Sequence, residues 1–143
     1  MKIALLGAAA FLAFAPLAFV HPAFAATETY KADLKPSTEV PANDTKGSGA
    51  LTATYDTVTK KLTYSATYQG LTGPATAAHF HGPAAPGVNA AVVVPVKDMT
   101  PSPLKGEATL TDAQAADLQA GKWYFNIHTA ANKGGEIRGQ VTK

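Results

Sequence analysis

An all-β fold, an antiparallel Greek-key β-sandwich or barrel with one short peripheral helix, is what this 143-residue sequence predicts. Three observations point there. Short segments in which apolar and polar residues alternate with period 2 recur along the chain. Clusters of glycine, proline and asparagine separate them. Only one stretch, beginning at Thr111, carries helix-start chemistry.

The first 25 residues read as a secretory signal peptide. Lys2 supplies the positive start, residues 3–20 are an apolar run, and Ala23-Phe24-Ala25 is an A-x-A cleavage site. The run is just long enough to span a bilayer, so an uncleaved anchor is the alternative. The flanks and the A-x-A favour cleavage, which predicts export to a periplasmic or extracellular space. Residues 26–143 are then one ordinary domain with no stable membrane insertion.

Residues 27–34 alternate and predict a first strand, and residues 36–46, with Pro36, Pro41 and Asn43-Asp44, a loop. Residues 47–55 and 61–69 predict a hairpin. Leu51, Ala53 and Tyr55 share one face of its first strand; Leu62, Tyr64, Ala66 and Tyr68 share one face of its second. Residues 75–81 are the next strand. Residues 82–89 hold two glycine/proline clusters and must be irregular. Residues 91–96 are a short apolar run in which Pro95 predicts an edge strand or a bulge. Residues 104–110 predict another strand. Over residues 111–121, Thr111 and Gln114 form a capping box, Asp112 suits the helix start, and Gly121 can end the helix. Leu118 is the only large apolar anchor, so the helix should be peripheral. Residues 123–128 and 135–142 close the fold as strands.

Composition removes several functions. There is no cysteine, which excludes thiolate metal ligands and cysteine nucleophiles without arguing against export. The net charge is +2 and the chain has one arginine, Arg138. With no basic stripe, nucleic acid is not an expected partner. No nucleophile elbow, phosphate loop or dinucleotide fingerprint is present.

The chemistry lies in the histidines. In a strand, His79 and His81 project to one side and Phe80 to the other, with the two histidine Cα atoms roughly 6.6 Å apart. His21 falls in the signal, so His128 is the remaining partner. Parity places Trp123, Phe125 and Ile127 in the core and Tyr124, Asn126 and His128 outside it. Ile137 and Val141 likewise point in, and Glu136, Arg138 and Gln140 out. His79, His81 and His128 are therefore candidate metal ligands on the outer face. Three imidazoles suit copper, with zinc as the other choice, and leave an open coordination position. Asn126, Thr129 and Glu136 are candidate partners for the far ring nitrogens. Arg138 either attracts a small anion to the metal or pairs with Glu136 at the surface. A solvated, metal-free His-x-His pair is the competing reading.

Ala78-His79-Phe80-His81-Gly82-Pro83-Ala84, Trp123-Tyr124-Phe125-Asn126-Ile127-His128-Thr129 and Gly134-Gly135-Glu136-Ile137-Arg138-Gly139-Gln140 resemble the CHRD (chordin-type) domain. The resemblance runs from about residue 27 to residue 141 and implies an exported β domain of open function. A weaker likeness is to copper-zinc superoxide dismutases. It implies a Greek-key barrel, a copper bound by His79, His81 and His128 in that order, and a guiding Arg138. The chain lacks that family's zinc ligands, bridging histidine and disulfide, so the implied site is mononuclear. Three functions stay open: a copper protein with superoxide dismutase-like turnover on a small anion such as superoxide, a copper carrier or buffer, and a metal-free extracellular interaction module.

Overall fold

A computed structural model describes residues 26–99 and 102–143; the expected signal segment, residues 1–25, lies outside them. The described chain runs β1 (Thr27–Leu34), β2 (Ser48–Asp56), β3 (Lys61–Gln69), β4 (Ala75–His81), β5 (Val92–Pro95), β6 (Leu104–Thr109), α1 (Asp112–Gln119), β7 (Trp123–Thr129) and β8 (Ile137–Val141). Two four-stranded sheets form, in the orders β1-β2-β3-β6 and β5-β4-β7-β8. All their pairings are antiparallel. The chain leaves the first sheet after β3, returns as β6 beside β3, and crosses again to place β7 beside β4. The expected all-β sandwich with one short helix is therefore what forms.

The alternation seen in the sequence sets the core. Tyr30, Leu34, Leu51, Leu62, Tyr64 and Leu104 of the first sheet meet Phe80, Trp123, Phe125, Ile127 and Ile137 of the second, all buried. Pro95 lies in the edge strand β5, where its missing N–H leaves no inner ladder bond unmade. The expected capping box forms, with the Thr111 hydroxyl accepting from the Gln114 N–H and the Gln114 side chain accepting from the Thr111 N–H. Ala115 and Leu118 are the buried residues of α1, which stays at the periphery as expected.

The sheets also touch along one side. Lys31 bridges to Thr142 and Lys35 to Arg138, which joins the open edges of β1 and β8. A Cβ on Gly139 would sit 2.3 Å from the Asp33 carbonyl oxygen, so this approach requires a glycine.

The outer face of the second sheet departs from expectation. Alternation predicts that half of β7 faces solvent, yet all seven of its residues are buried. The irregular segments on either side fold over it. Arg138 donates to Asn89 Oδ1 and to the Val88 carbonyl, and Gln140 donates to the Ala84 carbonyl. From the other side, Asn43 donates to the Glu136 carbonyl and the Thr38 hydroxyl to the Arg138 carbonyl. The parity was right, because these side chains do point away from the core. What overrides exposure is loop docking, which supplies the partners that let polar groups be buried.

Candidate metal centre

Strand register assembles the site. Across β4 and β7, His79 pairs with Asn126, His81 with Tyr124, and Ala77 with His128. The three histidines thus occupy neighbouring positions on one face, with Asn126 between His79 and the β8 residue Arg138. Phe80, Phe125 and Ile127 fix that face by filling the core on the other side. One ligand atom from each histidine lies within 4.8 Å of the others. Two donors on opposite sides of one ion at about 2 Å each stand about 4 Å apart, so a pair at 4.8 Å would have to close by about 0.8 Å to share one ion.

Hydrogen bonds decide which atoms face inward. His81 Nδ1 lies 2.9 Å from the Ala90 carbonyl oxygen, and His128 Nδ1 lies 2.9 Å from that of Lys133. A carbonyl only accepts, so both Nδ1 atoms carry hydrogen and both Nε2 atoms present lone pairs when the rings are neutral. His79 turns Nδ1 inward, 3.1 Å from His128 Nε2. Metal-ligating histidines commonly tie the far ring nitrogen to a carbonyl or carboxylate in this way. The donor set and its support therefore fit a metal ion.

The other candidate residues divide. Asn126 does reach the cluster: its Oδ1 is 3.1 Å from His81 Nε2 and 2.9 Å from His128 Nε2. It meets the inward nitrogens, not the far ones for which it was a candidate. Glu136 makes no hydrogen bond to a histidine among the described residues. It is fully buried and accepts from the hydroxyls of Thr72 and Thr129, the Thr72 N–H and the Asn132 amide. Burial pushes its pKa up, but the bonds from Thr129, Thr72 and Asn132 outweigh this and hold it below the ordinary value. Thr129 belongs to that same network. The Glu136–Arg138 surface ion pair does not form. Arg138 is 2% exposed, and its guanidinium lies 3.4 Å over the Tyr124 ring, a buried cation-π contact. Tyr124 in turn stacks on His81 at 4.7 Å and 3°. An anion at the ring cluster would feel Arg138 through this stack and not by direct contact.

Sequence reasoning missed Tyr124, the carbonyls of Ala90 and Lys133, and Glu39. Only Tyr124 carried a signal, since parity already placed it beside Asn126. Glu39 follows the short 3-10 turn Pro36–Thr38 and is 5% exposed. Burial pushes its pKa up, opposed by the Val40 N–H, Asn126 and Arg138.

Burial, then repulsion from His128 and His81, holds the His79 pKa below its ordinary 6.5. Burial also lowers that of His128; the Lys133 carbonyl works against this and His81 with it. The fold thus favours the neutral rings, while the unfolded chain binds more protons below pH 6.5. Stability from this source is complete above 6.5 and is lost as pH falls toward the lowered values. The metal-free protein should therefore melt at lower temperature on the acid side of 6.5. A His79→Gln/His128→Gln chain should show a shallower pH slope in the same circular dichroism melts.

A surface cleft of about 500 Å³ lies on the first sheet among Thr52, Thr63, Tyr64 and Gly106, and no histidine lines it. Among the described residues, no helix is long and apolar enough to cross a membrane. A family model described as the CHRD domain matches residues 30–141. Comparisons with curated proteins and with solved structures return no match.

Proposed function

The chain belongs to the CHRD domain family, and on that premise we propose that it is an exported protein binding one copper ion through His79, His81 and His128, with superoxide dismutase-like turnover. The observation that carries this reading is the convergence of His79 Nδ1, His81 Nε2 and His128 Nε2, with two rings pinned from behind by carbonyls. Three imidazoles favour copper in the divalent affinity order, and zinc is the alternative ion. Copper held by His79, His81 and His128 would supply one-electron redox chemistry, with one superoxide oxidised to O₂ and a second reduced, with two protons, to H₂O₂. The protein's own contribution is to hold the rings neutral, to limit water on the buried side, and to place the Arg138 charge behind Tyr124 as attraction for a small anion.

Copper content of the purified full-length protein tests binding, with one ion per chain expected. Dismutation is then compared with the same amount of free Cu²⁺. An Arg138→Met variant should keep the stoichiometry, slow dismutation and flatten its salt dependence. A carrier or buffer would bind copper and show no rate above free copper. A metal-free interaction module would bind none. Export is tested separately: the first residue of the secreted chain should be at or near Ala26, and an intact Met1 in a membrane fraction would refute cleavage.

A further inference from the structure

We propose that Asn126 is a fourth metal donor through Oδ1, which makes the site three nitrogens and one oxygen, and that Glu39 is the positioning residue that turns this oxygen inward. The inference rests on the three-histidine reading and goes beyond it in naming the ligand set.

The distances carry the first half. Two donors about 2 Å from one ion stand about 2.8 Å apart at a right angle and about 3.3 Å apart at the tetrahedral angle. Asn126 Oδ1 lies 2.9 Å from His128 Nε2 and 3.1 Å from His81 Nε2, and His79 Nδ1 lies 3.1 Å from His128 Nε2. All of these fall in the range for neighbouring ligands. Asn126 is also what links the outlying ring. The centroids of His81 and His128 are 6.5 Å apart, and the Asn126 oxygen is within hydrogen-bond distance of both.

Donor counting carries it further. His81 Nε2, His128 Nε2 and Asn126 Oδ1 are all acceptors while the rings are neutral, because both Nδ1 hydrogens go to carbonyls. Of the four converging atoms only His79 Nδ1 can then carry a hydrogen, and one hydrogen cannot satisfy three buried acceptors. Lone pairs turned toward one another in a desolvated space are unfavourable, and a cation at their centre reverses the sign.

Glu39 explains the amide orientation. A Cβ on Gly135 would lie 2.1 Å from Glu39 Oε1 and 2.8 Å from Asn126 Nδ2, so the two atoms meet above that residue. Gly135 has φ +130° and no side chain, which leaves them the space. Glu39 Oε1 is a buried acceptor with no hydrogen-bond partner, and the Asn126 amide nitrogen is turned into the same space over Gly135. With nitrogen held toward Glu39, oxygen must face the rings. The reverse orientation would give both Nε2 atoms a donor and leave nothing for a cation to satisfy.

Zn²⁺ is a suitable probe because it is diamagnetic. In ¹³C,¹⁵N-labelled full-length protein, one equivalent should move the Asn126 side-chain carbonyl resonance together with the three imidazoles. By calorimetry, Asn126→Leu should bind Zn²⁺ about 10- to 100-fold more weakly, while Asn126→Asp, which keeps an oxygen donor, should not. Glu39→Gln offers an N–H where a carboxyl oxygen stood; it should weaken binding severalfold and reduce the carbonyl shift. A carbonyl that stays still in zinc-loaded wild-type protein, or an Asn126→Leu chain that binds as tightly, overturns the proposal. The labelled wild type needs no variant to fold. If the imidazoles move and Asn126 does not, only this inference falls; if neither Zn²⁺ nor Cu²⁺ binds, the three-histidine reading falls with it.

Discussion

Replacing His128 with alanine is expected to remove Cu²⁺ binding more completely than any other single change. Its Nε2 lies within 3.1 Å of both His79 Nδ1 and Asn126 Oδ1, so among the three histidines it is the one that joins the other donors. Losing a partner behind a ligand typically costs 10- to 100-fold in affinity, and losing the ligand itself should exceed that. Thermal melts give a second readout. A ligand at about 100 times its Kd adds about 2.7 kcal/mol to the folded state, and this increment should vanish in His128→Ala. The variant also loses the bond from His128 Nδ1 to the carbonyl of the exposed Lys133, so its metal-free form should lose about 0.5–1.5 kcal/mol. The two effects separate when each chain is melted with and without Cu²⁺. A copper-dependent rise in melting temperature that persists in His128→Ala would move the site elsewhere.

How legible this site was depends on the kind of information each residue carries. Phe80, Phe125 and Ile127 announce the core face by alternation, and that alone puts His79, His81 and His128 on the opposite side. The β4–β7 pairing is a long-range choice, but the apolar runs on both strands leave few registers that bury both faces correctly. The covering of that face was not legible. Residues 36–46 and 82–91 have no period, and what docks them is a set of individual bonds to Asn43, Asn89, Gln140 and backbone carbonyls. Arg138 and Glu136 therefore read as surface charges, although both are buried and hydrogen-bonded. Glu39 had no signal at all: a glutamate in a proline-rich loop looks solvated until the loop is seen to fold inward. Asn126 was named for the right cluster and the wrong nitrogens, because ring tautomers are set by Ala90 and Lys133, whose carbonyls no side-chain pattern reveals.

Replacing Phe80 with alanine should have the largest effect on stability. Phe80 is fully buried between the candidate ligands His79 and His81, and its ring meets Phe125 at 4.8 Å, Tyr64 at 5.1 Å and Trp123 at 5.8 Å. The Tyr64 contact joins the two sheets and the other two tie β4 to β7, so truncation opens a cavity that rigid aromatic neighbours fill poorly. Phe→Ala in such a place costs about 3–5 kcal/mol out of the roughly 5–15 kcal/mol that holds a domain together. A urea titration should show a lower midpoint with an unchanged slope, since the surface exposed on unfolding hardly changes. The same ring holds one face of β4 against the core, so metal affinity should also fall, though less than in His128→Ala, because every donor atom is still present. Saturating Cu²⁺ should then restore part of the lost stability. On β4 one residue anchors the core and its two neighbours offer imidazoles, so core packing there also aims two of the three rings toward His128 on β7. A loss below about 1 kcal/mol would mean that the aromatic cluster does not hold β4 in place, and the parity that aims the histidines would need another cause.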